Sequence, residues 1–251
     1  MKAFIGTGAL TLALLLSGCG SEGADKNATG AANSAPVATI AAPNGGDWTQ
    51  TVSATADGGF VMGNPNAPVK LVEFASLTCS HCADFSKDGE PALIENFVKT
   101  GQVSFELRNF VRDPADLGAA LLSRCNGPGA YFKLTDQLLA AQNEWLGKLQ
   151  QMTPAAQQQL QGMQPQQQIG ALAEQAGLVD FVRVRGVPAQ KAQSCLADQQ
   201  ALQRLVDMNS KATQQYKVQG TPTFVINGET VELNPGPIWP QLEPKLRQAI
   251  G

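Results

Sequence analysis

Val69-Lys70-Leu71-Val72-Glu73-Phe74-Ala75-Ser76-Leu77-Thr78-Cys79-Ser80-His81-Cys82 is the stretch that decides how this chain is read. Residues 69–75 form a nearly continuous apolar run of strand length, as expected of a central strand buried on both faces. Helical patterning begins at Cys79 and Ser80 and runs to about residue 99, with Gly89 and Pro91 predicting a kink or two stacked pieces. Two cysteines at i and i+3, directly after a buried strand and opening a helix, form a redox-active dithiol arrangement. The first of them, Cys79, faces the unpaired N–H groups and the positive end of the helix dipole. That placement lowers a thiol pKa and makes the thiolate both a nucleophile and a good leaving group. Cys82 lies one turn further in, where it can resolve a mixed disulfide. His81 between them can add charge or a hydrogen bond to the Cys79 thiolate. A stabilised reduced form makes the disulfide form an oxidant.

Two plainer readings of the pair are weaker. A zinc site would need further ligands, but Cys125 and Cys195 are far apart and lack metal-ligand spacing, and the single histidine excludes a His-rich site. A purely structural bridge across Cys-x-x-Cys would close so small a loop that it would constrain the unfolded chain little. No metal is therefore expected. With Cys79 assigned to Cys82, the pairing left within the folded region is Cys125 with Cys195. That bridge closes about 70 residues, contributes on the order of 4 kcal/mol in the chain-entropy model, and is read as structural.

Composition sets the frame. The chain has 251 residues, 43% hydrophobic and 16% charged, which excludes wholesale disorder. A formal net charge of −3 without a long basic run argues against nucleic acid or an anionic membrane surface as the main partner. Residues 60–62 are β-like and lead into a turn at residues 63–68. Residues 103–111 alternate apolar and polar side chains, which predicts a second strand. From about 115 to 216 no strand is expected, only helices. Thr153-Pro154 makes an N-cap and N1 pair, and Ile169, Leu172, Ala173 and Ala176 make a helical stripe ended by Gly177. The glutamines of residues 157–168 read as a solvated helix face. Val225 and Ile226 resume β character, Asn227-Gly228 is a hairpin turn into a strand over 230–233, and an amphipathic helix over 238–250 closes the chain. The order β-α-β, helical block, β-β-α defines one α/β domain with an all-helical subdomain inserted in it.

Residues 1–18 read as a signal peptide, with Lys2 before an apolar core. Leu16-Ser17-Gly18-Cys19 resembles the lipobox of bacterial lipoproteins, in which the cysteine carries a lipid. Residues 19–56 are then the lipidated Cys19 and a flexible tether rich in Ala, Gly, Asn, Ser, Thr and Pro, and 57–251 the folded domain. The expected location is periplasmic, held to a membrane by lipid at Cys19. A monomer is expected, since the low-complexity tether is no dimerisation domain.

Over residues 60–250 the chain resembles the DsbA family of thiol:disulfide oxidoreductases, which have a thioredoxin-like fold with an inserted helical subdomain. The resemblance rests on the stretch from Val72 through Cys82 and on Gly220-Thr221-Pro222-Thr223-Phe224-Val225-Ile226-Asn227-Gly228. It implies that Thr221-Pro222 is the cis-proline loop and that Thr221 backbone groups pair with an extended substrate segment. Pro222 then belongs to the catalytic set with Cys79, Cys82, His81 and Glu73, and Ser80 lies beside Thr221 and Pro222 on the substrate side. Strongly oxidising members commonly have proline where this chain has Ser80. Glu73, six residues before Cys79, matches an acidic residue that lies beneath the site and relays a proton to the buried cysteine. The alternative for Glu73 is a strand-end carboxylate reaching solvent or paired with Lys70. The resemblance implies reduced exported polypeptides as substrates, a quinone-linked DsbB-like reoxidase as partner, and no cofactor. An isomerase or reductase of the same fold, and a non-catalytic lipoprotein that binds peptides along the Thr221-Pro222 groove, are the other two readings.

Overall fold

In the computed structural model, which describes residues 37–251, the decisive strand sits mid-sheet. The chain gives β1 (Val52–Ala54), β2 (Phe60–Met62), β3 (Val69–Ala75), α1 (Ser80–Asp88), α2 (Glu90–Leu93) and β4 (Val103–Asn109). The insertion follows as α3 (Pro114–Ser123), α4 (Pro128–Ala140), α5 (Gln142–Gln150), α6 (Pro154–Gln161), α7 (Pro165–Gln175), α8 (Leu178–Arg183), α9 (Ala189–Leu196) and α10 (Gln199–Tyr216). β5 (Thr223–Ile226), β6 (Glu229–Thr230) and α11 (Trp239–Ile250) complete it. Gly89 separates α1 from α2, and α2 runs on into a wider turn over Ile94–Val98, which is the predicted interruption.

The strand order is β1-β2-β4-β3-β5-β6. β3 and β4 run parallel, joined by α1 and α2, whereas β5 lies antiparallel on the other side of β3. This is the thioredoxin-like α/β arrangement with an all-helical insertion. Strand parity does the sorting. Leu71, Ala75 and Val69 join the main core with Phe85 and the insertion, whereas Val72 and Phe74 pack with Ala212, Val218 and Val225 on the opposite face. Glu73 shares its parity with Leu71 and Ala75, so it points to the side of the sheet that α1 covers.

Helix starts follow their caps: Asp113 accepts from the Asp116 N–H, Thr153 from Ala156, and Asp198 from Gln200 and Ala201. Ile169, Ala173 and Ala176 are buried, and Gly177 ends the stripe in the left-handed region. The glutamine-rich segment splits at Pro165 into α6 and α7, with Gln157, Gln158, Gln159 and Gln161 exposed. Asn227 and Gly228 both take positive φ, the geometry of a two-residue hairpin turn. β6 covers only Glu229–Thr230, shorter than the expected 230–233, because beyond Val231 the chain bends to where the Gln241 amide holds both backbone groups of Asn234.

One expectation is corrected. The signal peptide, Cys19 and the first part of the tether lie outside the described residues, but residues 37–56, expected as tether, belong to the folded body. Trp48 is buried, its indole Nε1 donating to the Ile40 carbonyl at 2.7 Å. Val37 N–H donates to Ile250 and Ile40 N–H to Thr100, and β1 pairs with β2. The buried tryptophan ring, the backbone bonds and the strand pairing together hold this polar stretch.

The strand expected from the alternation over 103–111 is β4, and it is buried along its whole length. The polar face is closed by an ion cluster: Arg108 Nε and Nη2 donate to the Glu106 carboxylate at 2.8 and 2.9 Å. Arg108 also meets Asp57 at 3.0 Å, and Thr55 Oγ1 donates to Glu106 at 2.6 Å. Breaking a buried pair strands the remaining charge. Arg108→Ala is therefore expected to destabilise the protein by about 3–5 kcal/mol, measured as a lower urea midpoint with an unchanged slope.

Candidate active site

Cys79 is the N-cap residue of α1, with extended backbone, so its side chain lies where the first free N–H groups of the helix converge. Its residue is only 3% exposed and Cys82 is fully buried. Both are in the thiol form. The Cys79 pKa is brought down to about 5, chiefly by a hydrogen bond from the Cys82 thiol, with the backbone N–H groups of Cys82 and His81 adding to it. Burial and the neighbouring Cys79 push the Cys82 thiol up. The two sulfurs of one short motif are thus polarised in opposite directions, the outer toward thiolate and the inner toward thiol.

Thr221-Pro222 is a cis peptide, and it lies against the dithiol: the Cys79 Sγ–H donates to the Thr221 carbonyl at 3.1 Å. Two sites 142 residues apart in sequence, each singled out by its motif, therefore meet. Thr221 and Pro222 are half-buried, and Ser80 is exposed. His81 is placed differently from expectation. Its ring is exposed and faces Asp84, Nδ1 to Oδ2 3.7 Å, so its contact with the Cys79 sulfur is through the backbone N–H.

Glu73 is 2% exposed beneath the dithiol, and its pKa rises to about 8 through desolvation, then through Asp136 and Cys79. Lys70 does not pair with it; that ammonium donates to the Pro65 carbonyl. Motif reading missed two further acids nearby, the buried Glu90 and the half-buried Asp136. Burial holds both above the ordinary carboxylate range, and Glu90 Oε1 and Asp136 Oδ1 lack hydrogen-bond partners. It also missed Asp116, fully buried, which accepts from Leu77 N–H at 2.8 Å and Arg112 N–H at 2.9 Å. The capping pattern Asp113-Pro114-x-Asp116 was the available signal for it. Cys125 and Cys195 are joined in a disulfide between the α3–α4 connection and α9. Among the described residues no group of His, Cys, Asp and Glu is arranged to hold a metal ion.

A Cys-x-x-Cys dithiol at a helix start, a cis-proline loop against it and a helical insertion over it define the DsbA-like class of thioredoxin fold. The chain belongs to the thioredoxin family, whose sequence profile matches residues 55–238. The crystal structure of protein-disulfide isomerase from Novosphingobium aromaticivorans is similar, 33% identical, covering 76% of this chain and 96% of that one with a TM-score of 0.70. The Wolbachia pipientis alpha-DsbA1 structure shares the fold at 20% identity, over 78% of this chain and 93% of that one, with a TM-score of 0.61. A Rickettsia bellii protein provisionally named a protein-disulfide oxidoreductase is 26% identical over 176 residues, 69% of this chain and 58% of that protein. The chain thus spans a little over half the length of the curated relatives it matches.

Proposed function

We propose that this chain is a thiol:disulfide oxidoreductase working through Cys79 and Cys82, and that it oxidises the thiols of exported polypeptides. The observation that supports this reading is the opposed polarisation of the two sulfurs. A substrate thiolate attacks Cys79 of the Cys79–Cys82 disulfide. Cys82 leaves with the electron pair of the S–S bond and takes up a proton, for which the protonated Glu73 beneath it is the donor. A second substrate thiolate attacks the substrate sulfur of the mixed disulfide and expels Cys79 as its stabilised thiolate. The substrate leaves with a disulfide and the enzyme is left as the dithiol. The extended substrate segment pairs with Thr221 next to Pro222, with Ser80 on the same side. Reoxidation falls to a membrane-bound, quinone-linked partner, and a lipid at Cys19 would hold the enzyme where such a partner works.

The direction is tested by redox titration of the soluble domain against glutathione. A reduction potential near about −120 mV is expected for a disulfide donor. A value near about −270 mV would reverse the direction of electron flow. An isomerase role has one observation in its favour, the likeness to the 33%-identical Novosphingobium protein-disulfide isomerase. It predicts that the reduced form, not the oxidised one, restores activity to a protein with scrambled disulfides.

A further inference from the structure

The backbone leading to Cys79 is held from outside the thioredoxin-like core. The carbonyls of Leu77 and Cys79 both accept from Gln142 Nε2, at 2.8 and 3.0 Å. The Thr78 carbonyl accepts from Arg112 Nη2 at 3.1 Å, the Thr78 hydroxyl donates to Asp113, and the Leu77 N–H donates to Asp116. Gln142 is the central piece. It is the first residue of α5, after a break at Ala141 where α4 ends, and its side chain is buried at 4% exposure. Both of its acceptors are carbonyls, so only the amide nitrogen can face them, and its two hydrogens match two acceptors. The corner that aims it is fixed by Trp145, one turn on, 2% exposed, whose Nε1 donates to the Leu138 carbonyl.

We propose that Gln142 is a positioning residue for Cys79, through which the helical insertion sets the orientation of the peptide that opens α1 and so the reactivity of the attacking thiol. The Cys79 carbonyl is also the acceptor of the first helical bond of α1, from Ala83 N–H at 3.2 Å. Fixing that carbonyl fixes the plane of the peptide joining Cys79 to Ser80, and with it the direction of the following N–H groups. Those of His81 and Cys82 are the ones that hold the Cys79 charge. A glutamine with no contact to substrate thereby acts on the sulfur through the backbone. The inference rests on Cys79 being the attacking thiol, and deepens that reading.

The test is the Gln142→Ala variant of the full folded domain, with Gln142→Met beside it. Alanine leaves room for water to reach the two carbonyls, and methionine keeps the packing without the donor. The thiolate of Cys79 is titrated by ultraviolet absorbance and by alkylation rate, the glutathione equilibrium is measured, and thermal stability is recorded for each. The expected result is a Cys79 midpoint raised by roughly half to one pH unit, about what the loss of one ordinary hydrogen bond produces. The glutathione equilibrium then shifts about three- to tenfold toward the disulfide form. A lower melting temperature with an unchanged midpoint and an unchanged equilibrium, in either variant that folds, overturns the proposal and leaves Gln142 a structural residue. A wild-type Cys79 titrating in the ordinary thiol range would instead overturn the reading of the active site itself.

Discussion

Cys79→Ser is expected to lower thiol oxidation by at least about a thousandfold, to the rate of the small-molecule oxidant alone, with folding intact. Serine is nearly isosteric and can still donate to the Thr221 carbonyl, so the cis-proline loop loses no packing. What disappears is the one sulfur a substrate can attack, since Cys82 is fully buried. In the parent protein, alkylation of Cys79 should follow a single midpoint near 5. The same depressed pKa makes the dithiol form pH-dependent. The folded pKa lies below the unfolded thiol value, so ionised Cys79 contributes stability that is fully present above about pH 9 and lost as pH falls through about 5. Reduced and oxidised protein compared by urea unfolding across that range report the contribution directly. A peptide-binding module with an idle cysteine pair predicts no change in thiol oxidation when Cys79 is replaced.

Glu73→Gln is expected to stabilise the protein while slowing it. The carboxyl of Glu73 has a folded pKa near 8, raised from 4.5 mainly by desolvation. Its stabilising contribution is thus complete below about pH 4.5 and lost as pH rises toward 8. At neutral pH the lost contribution is on the order of 2–3 kcal/mol. A neutral glutamine avoids that loss, so the variant gains stability relative to the parent as pH rises from 5 to 8. Exchange should slow by ten- to a hundredfold, the lower end of what a positioned proton donor contributes, and the inflection near pH 8 in the rate of mixed-disulfide formation should vanish. An unchanged rate profile would remove Glu73 from the proton path and leave it a buried structural acid.

Much of this architecture could be read from sequence because each decisive element carried a local signature. β3 announced itself by its apolar run, α1 by cysteines opening a helical pattern, and the β5–β6 turn by Asn227-Gly228. Pro222 met Cys79 as the motifs implied. Illegible were the features that depend on partners remote in the chain. The closure of β4's polar face is one, because nothing local says that Arg108 reaches Asp57 and Glu106 reaches Thr55. Trp48 sits in a stretch whose composition suggests a tether, and its seat against Ile40 and Gly101, with the backbone bonds to Thr100 and Ile250 and the pairing of β1 with β2, orders it. Gln142 is one glutamine among many in the insertion. Its role comes from a helix corner, which no spacing rule encodes. His81 was assigned by adjacency, but its ring follows α1 outward to Asp84.

Val37, the first of the described residues, lies far from the reactive sulfur. Val37 lies beside Ile250 and Gln102, at the end of the sheet where β3 and β4 begin. Cys79 lies past the other end of β3, beyond its seven residues, a span of roughly 20 Å at strand rise. Val37 and the reactive sulfur therefore lie at opposite ends of β3, with the whole length of the central strand between them.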